Sequence, residues 1–238
     1  MRVMAFNGSP RKKWNTATLL EKALEGAASA GAQTRLVHLY DIAYTGCVSC
    51  FACKTIGGKS YGKCAARDSL TPVLREAEEA DAMIFGSPLY FGTVSGQMRS
   101  FMERLLFPLG SYTKSHDPVS HRRIPTVFIY TMNAPEQAIR DCRTRGTVMD
   151  RLADEGSIID LMDFQGSLHL LINEYVIKTS LGPTESLMSC ETYQFEDYSK
   201  VVSDFFDAGE RARRREEVFP KDCEKAFEMG ARLVRALG

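Results

Sequence analysis

Four of the seven cysteines fall in one short segment, GCVSCFACKTIGGKSYGKC, at positions 46–64. Cys47, Cys50 and Cys53 follow a C-x2-C-x2-C spacing, and Cys64 comes after ten intervening residues. The first three cysteines match the start of a bacterial ferredoxin-type ligand run. Three chemistries are open for this segment: a [4Fe–4S] cluster, a zinc site, and free or redox-active thiols.

The long gap before Cys64 bears on this choice. It contains Gly57, Gly58 and Gly62, so bringing the fourth thiol to the other three costs conformational entropy. Zinc sites usually divide their ligands into two separated pairs, which this run does not do. The remaining cysteines are scattered and are expected to be small buried residues: Cys142, Cys190 and Cys223.

A second segment with chemical potential, NGSPRKKWNTAT, occupies positions 7–18. It leads into residues with helical spacing, so its backbone N–H groups stand at a helix N-terminus, where an anion is stabilised. The segment fits neither GxxxxGK[ST] nor GxGxxG, which favours a mononucleotide phosphate over a dinucleotide pyrophosphate. The side chains that suit a phosphomonoester are hydroxyls, one amide and three cations: Ser9, Arg11, Lys12, Lys13, Asn15, Thr16 and Thr18.

A third segment, GSPLYFGTVSG at positions 86–96, combines bulky and permissive residues. Pro88 fixes the chain direction, while Gly92 and Gly96 let the backbone approach a ligand. Between them stand Leu89, Tyr90 and Phe91. An apolar wall with ring faces and nearby backbone N–H groups suits a flat aromatic cofactor.

All three segments follow predicted strands. The strand predictions cover residues 2–6, 34–40, 82–85 and 125–132, and the helix predictions cover 16–30, 70–80 and 97–106. This alternation is typical of a doubly wound parallel sheet, in which ligands bind beyond the C-terminal ends of the strands.

The second half of the chain gives a weaker pattern. Residues 135–152 and 157–172 are expected to be helical, residues 191–195 to form the last strand, and residues 222–237 to form a final amphipathic helix. With no repeat or low-complexity linker, we expect one domain over residues 1–238. It would carry a cysteine loop at 46–66 and a helical elaboration at about 133–189.

Charge and hydropathy limit the partners. Lys plus Arg and Asp plus Glu both number 30, and a net charge of zero argues against a nucleic-acid-binding surface. The basic run at 211–215 is diluted by acidic residues and is expected to be a solvated helix face. No apolar run approaches the roughly 20 residues that a bilayer span needs, and no secretory signal is present, so we expect a cytoplasmic protein without membrane contact.

The two ligand loops and the cysteine run ending in CAARDSL, in this order and spacing, resemble the NADPH-dependent FMN reductase and iron–sulfur flavoprotein group of flavodoxin-like proteins. The resemblance covers roughly residues 1–132. It implies a five-stranded parallel sheet of order 2-1-3-4-5, an FMN cofactor and a homodimer or homotetramer. It also implies electron transfer from NAD(P)H through FMN to a small-molecule or protein acceptor, without a general acid or base from the protein.

The resemblance also assigns roles to residues. The FMN phosphate would be held by hydroxyl, amide and cationic side chains: Ser9, Arg11, Asn15, Thr16 and Thr18, with Lys12 among the nearby cations. The isoalloxazine would be faced by Pro88, Leu89, Tyr90, Phe91 and Gly92, with Asn133 on its far side. Trp14 would cover the flavin or pack on a neighbouring subunit.

The cysteines match the cluster layout of the iron–sulfur members except for the longer last gap before Cys64. Three functions are therefore consistent with the sequence. They are an FMN-dependent oxidoreductase, an electron carrier with a [4Fe–4S] cluster at Cys47, Cys50, Cys53 and Cys64, and a partner-binding module without cofactor.

Overall fold

The computed structural model describes residues 1–113, 119, 122–139, 158–202 and 207–238, with the backbone alone at 158–168. The described residues form six strands: β1 Arg2–Asn7, β2 Gln33–His38, β3 Ala82–Tyr90, β4 Thr93–Val94, β5 Thr126–Thr131 and β6 Thr184–Ser189. Six α-helices have their bounds within the described residues: α1 Asn15–Ser29, α2 Thr71–Glu79, α3 Gly96–Leu106, α4 Ile158–Ser180, α5 Ala208–Glu217 and α6 Phe219–Arg235.

The sheet confirms the expected doubly wound architecture. Its long strands lie parallel in the order β2-β1-β3-β5-β6, which is 2-1-3-4-5 when only long strands are counted. The expectation of five strands was incomplete, because the short β4 pairs antiparallel with the end of β3. All the parallel strands place their C-terminal ends at one edge of the sheet, where ligand loops are expected.

Alternation along the strands divides the core into two layers. Val3 and Ala5 of β1 face one side of the sheet, where α1 and α6 pack, and Met4 and Phe6 face the other. On that second side Phe6 packs with Phe101 of α3, with ring centroids 4.5 Å apart. Both faces are therefore covered, which is why the central strands are apolar throughout.

The last strand was placed wrongly by the sequence pattern. Residues 184–189 form β6, with Leu187 opposite Ile129 of β5, whereas residues 191–195 are a loop. The aromatic residues that suggested a strand pack on one another instead, since Tyr193 and Phe195 both contact the ring of Tyr198 at 5.2 Å.

The helical elaboration is also shorter than expected, because it ends with α4 before β6 begins. Most of the predicted helix at 135–152 lies outside the described residues, as does Cys142, although residues 136–139 are helical. None of the helices in the described ranges is long and apolar enough to cross a membrane.

Candidate functional site

The loop between β1 and α1 forms a buried helix N-terminus without a capping side chain. The residue before α1, Trp14, makes no side-chain cap, while Asn15 and Thr16 in the first turn are buried. The first N–H groups of a helix have no partner within the helix. Together with the helix dipole, they make this end of α1 suitable for an anion.

Local contacts hold the loop in shape. The Asn7 side chain accepts a hydrogen bond from the Ser9 N–H at 2.9 Å, and Ser9 Oγ accepts from the Arg11 N–H at 3.1 Å. The N–H of Gly8 donates to the Gly86 carbonyl of the neighbouring strand at 2.8 Å. A side chain at Gly8 would lie 2.8 Å from Met98 Cβ, so glycine is required for this close approach.

The end of β3 forms the facing wall. Where β3 pairs with β4, Leu89 is partly exposed and Tyr90 is exposed, and partial burial raises the pKa of the Tyr90 hydroxyl. Phe91 and Gly92 form the tip of this hairpin with φ of 52° and 74°. The Phe91 side chain projects fully into solvent.

The two loops enclose one cleft of about 520 Å³ that opens to solvent. Its lining includes nine of the side chains expected from the sequence: Ser9, Arg11, Trp14, Asn15, Thr16, Pro88, Leu89, Tyr90 and Asn133. Five other expected residues lie outside it. Lys12 pairs with Asp41 at 2.7 Å, Lys13 is exposed, Thr18 Oγ1 donates to the Trp14 carbonyl at 3.1 Å, and Phe91 and Gly92 form the hairpin tip.

Two parts of the lining were given no residue-level role from the sequence. Thr131 ends β5 and Met132 follows it, at the end of the fourth predicted strand, where ligand loops are expected. Thr192 and Gln194 arrive from the loop after β6, which the misplaced last strand concealed. Thr131 Oγ1 lies 2.8 Å from Thr16 Oγ1 and joins β5 to the first turn of α1.

The loop after β6 is hydrogen-bonded to the loop between β1 and α1 through its backbone carbonyls. The Tyr193 carbonyl accepts hydrogen bonds from Trp14 Nε1 at 3.0 Å and from Asn15 Nδ2 at 2.8 Å. The Gln194 carbonyl accepts one from Arg11. Trp14 therefore lines the cleft of its own chain, and its ring packs there within that chain.

The basic run on α5 is not the solvated face that the sequence suggested. Arg211 is buried, and it pairs with Glu191 at 3.3 Å, while Arg214 pairs with the same carboxylate at 3.4 Å. Arg213 alone fits the expectation, since it is exposed and pairs with Glu210 on its own helix. The charge pattern along the chain could not show that α5 folds back onto the loop after β6.

The cysteine loop does not gather its four thiols. Cys47 and Cys50 are exposed, Cys53 is buried and Cys64 is partly buried. Among the described residues, no three His, Cys, Asp or Glu side chains are grouped as metal ligands. Burial raises the pKa of the Cys53 thiol. As arranged here, these residues do not fit a [4Fe–4S] cluster or a zinc ion.

Cys64 has a separate structural partner. The buried guanidinium of Arg104 donates from Nε to its Sγ at 3.2 Å and from both terminal nitrogens to Asp68. This arrangement joins the end of the cysteine loop to α3 and gives the Cys64 thiol a partner within the protein.

Sequence comparison identifies relatives of the first half of the chain. A family profile described as NADPH-dependent FMN reductase matches residues 1–134. An iron–sulfur flavoprotein of Methanocaldococcus jannaschii is 38% identical over 104 residues, which are 44% of this chain and 51% of the relative. One of Archaeoglobus fulgidus is 36% identical over 104 residues, 44% of this chain and 48% of the relative. The matched region thus spans about half the length of these curated relatives.

Solved structures resemble the whole chain in fold. An NAD(P)H:quinone oxidoreductase from Methanothermobacter marburgensis has a TM-score of 0.62 at 13% identity, covering 98% of each chain. An FMN-dependent NADH-azoreductase from Bacillus anthracis, solved with FMN, has a TM-score of 0.59 at 10% identity, covering 98% of this chain and 99% of that one. These similarities confirm the flavodoxin-like fold.

Proposed function

Because the chain belongs to the NADPH-dependent FMN reductase family, we propose that it is an FMN-dependent oxidoreductase that takes electrons from NAD(P)H. One observation carries the proposal. A single cleft joins the uncapped N-terminus of α1 to the apolar wall at the end of β3. A flavin mononucleotide carries a phosphate at one end and a flat aromatic ring at the other, and the cleft offers a matching surface for each.

The side chains fit both ends of this cofactor. The phosphate would be held by the first N–H groups of α1, the hydroxyls of Ser9 and Thr16 and the guanidinium of Arg11, which is a charge-assisted donor set. The ring would lie against Pro88, Leu89 and Tyr90.

Polar groups complete the far side of the cleft. Asn133 Nδ2 donates to Gln194 Oε1, so the two amides form one hydrogen-bonded pair beside the proposed ring site. Such groups can satisfy the polar edge of a heteroaromatic ring, and this fixes its orientation.

FMN, when bound, supplies the transfer of a hydride or of single electrons between a nicotinamide and an acceptor. The protein's part is to bind the phosphate, orient the ring and exclude water, and we assign no side chain as a general acid or base. We propose a quinone, a flavin or a similar small molecule as the acceptor, and a homodimer or homotetramer as the assembly. The open mouth of the cleft supports access by such a molecule.

Titration of the flavin-free protein with FMN, followed by flavin fluorescence, tests the site. Ser9→Ala and Thr16→Val each remove a hydroxyl from the proposed phosphate site, and we expect each to weaken binding about tenfold or more, since a hydrogen bond to a charged group contributes about 1.5–3 kcal/mol. Thr18→Val is the matched control on the same helix, because Thr18 does not line the cleft and its hydroxyl donates to the Trp14 carbonyl. Absence of FMN binding, or equal losses in all three variants, would refute the assignment.

A second candidate is an electron carrier that uses an iron–sulfur cluster beside the flavin. The names of the curated relatives and the C-x2-C-x2-C spacing support it, whereas the observed separation of the thiols does not. Iron and sulfide analysis after anaerobic purification decides between them. About four iron atoms per chain would favour the carrier, and iron-free protein with full FMN occupancy would exclude it.

A further inference from the structure

One cation beside the proposed phosphate site has no acidic partner. Arg215 lies at the end of α5 with its side chain half-buried, and it forms no ion pair within the described part of the chain. Burial lowers the pKa of this guanidinium, although arginine remains protonated at neutral pH. A partly buried charge without a counter-ion is costly, so its position calls for an anion nearby.

The Arg215 guanidinium is held in place against two rings. It lies 4.2 Å from the ring centroid of Phe219, one turn further along the chain, and 5.9 Å from that of Trp14. Arg11 approaches the same Trp14 ring at 5.4 Å. Trp14 thus has both arginines within cation–π range, which brings two positive charges to the phosphate-binding loop.

Arg215 also sets the orientation of the Asn15 amide. Its Nη1 donates to Asn15 Oδ1 at 2.6 Å. A guanidinium can only donate, so the amide oxygen must face Arg215 and the NH₂ group must face the other way. One N–H of that group is engaged with the Tyr193 carbonyl at 2.8 Å. Asn15 lines the cleft, and among the described residues its second N–H makes no hydrogen bond, which leaves one donor of the amide for a ligand.

We propose that Arg215 is a positioning residue for the cofactor phosphate, which aligns the Asn15 amide as a donor and adds a second positive charge behind the loop. This inference rests on the proposed function and goes beyond it, because it assigns the preference for FMN over riboflavin to a residue 200 positions away from the amide it holds. The phosphate is the part that distinguishes the two flavins, so loss of an Arg215 contribution to phosphate binding should affect FMN and not riboflavin.

The test compares FMN and riboflavin binding to the full-length, flavin-free protein by fluorescence quenching. Arg215→Met keeps the apolar stem but removes the charge and the hydrogen bond. We expect it to raise the Kd for FMN about tenfold or more and the Kd for riboflavin less than about twofold. Arg215→Lys restores the charge and should recover part of the loss for FMN. Arg213→Met is the control, since Arg213 is exposed on the same helix and pairs only along it.

A double-mutant cycle tests the link to Asn15. If Arg215 acts through the amide, Asn15→Leu combined with Arg215→Met should lose less FMN affinity than the sum of the single losses. Additive losses, equal changes for FMN and riboflavin, or no change in Arg215→Met would each overturn the inference while leaving FMN binding by the wild type intact. A wild type that binds neither flavin would overturn the proposed function and this inference together.

Discussion

At the scale of single residues, the most demanding buried charge is that of Arg104. Its side chain is almost fully buried, and its guanidinium donates to Asp68 at 2.5 and 3.1 Å, to Cys64 Sγ and to the carbonyls of Thr45 and Ala66. This bidentate pair offsets the cost of burying the cation. Arg104 therefore fixes the cysteine loop to α3, and its loss would affect that loop first.

Removing the Asp68 charge should destabilise the protein in a pH-dependent way. Asp68→Asn keeps an acceptor for the Leu70 N–H but leaves Arg104 unpaired, so we expect a loss of about 2 kcal/mol at neutral pH. The hydrogen bond from Arg104 lowers the pKa of Asp68. The native state therefore resists protonation of Asp68. The free energy that this carboxylate contributes to folding is fully present above the ordinary aspartate pKa, and it is lost as the pH falls through the lowered pKa of the native state.

Urea unfolding of wild type and Asp68→Asn between pH 7 and pH 2 measures this effect. The difference in the free energy of unfolding between the two proteins should disappear at the acid end of that pH range. Glu79→Gln is the control, because its pair with Arg2 is exposed and should contribute little. If the same difference in the free energy of unfolding remained at pH 2, the charge of Asp68 could not be its cause.

The sequence could predict that residues of one loop lie together, but it could not predict which distant segments join them. Ser9, Asn15 and Thr16 could be foreseen because a strand end and a helix start bracket them within a few positions. Gln194 and Arg215 reach the same loop from the far end of the chain, and nothing local in the sequence connects them to it.

At the scale of elements, the β3–β4 hairpin contains a local strain. Phe91 has a positive φ of 52° although its ring is fully exposed, and Gly92 follows with 74°. Two positive φ values in a two-residue loop are typical of a type I′ turn, which favours Asn-Gly. A bulky residue with positive φ costs about 1 kcal/mol or more.

Phe91→Asn should therefore stabilise the protein by about 1 kcal/mol and raise the Tm by roughly 2–4 °C. Differential scanning calorimetry measures this directly, with Tyr112→Asn as a control at an exposed aromatic residue without positive φ. A lower Tm in Phe91→Asn would mean that the exposed ring makes stabilising contacts, for example with a second copy of the chain.

The contact between α1 and α6 depends on two glycines. A methyl group at Gly230 would overlap the Ala23 carbonyl, and one at Gly26 would overlap the Phe227 carbonyl. Close approach of the helices brings α6, and with it the end of α5, against α1. The amphipathic pattern predicted α6 as a helix, but it could not predict this packing partner.

Gly230→Ala should destabilise the protein by about 2 kcal/mol, because overlap in the helix contact outweighs the roughly 1 kcal/mol that alanine gains in helix propensity. Urea unfolding of the variant and the wild type measures this difference in the free energy of unfolding. Gly96→Ala is the control, since a methyl group there would have nothing within 4 Å. A Gly230→Ala variant as stable as wild type would show that the two helices can separate at little cost.

At the scale of the whole molecule, the fold explains why distant segments share one site. Each of the loops after β1, β3, β5 and β6 leaves the same edge of a parallel sheet, so one cleft collects residues from positions 9 to 194. The hydrophobic periodicity of the sequence predicted the first four long strands, and the loops that follow them indicated this edge of the sheet. The fifth long strand was misplaced because alternation and aromatic content do not separate a strand from a loop that packs its own rings.

The central claim is that this cleft holds FMN and passes electrons to it from NAD(P)H. The most direct measurement is the absorbance spectrum of anaerobically purified protein, loaded with FMN, titrated with NADPH and then with NADH, with iron quantified in the same sample. We predict a flavin band at about 450 nm that bleaches with one or both nicotinamides. Protein that takes up no FMN, or that holds FMN which neither nicotinamide reduces, would contradict the account.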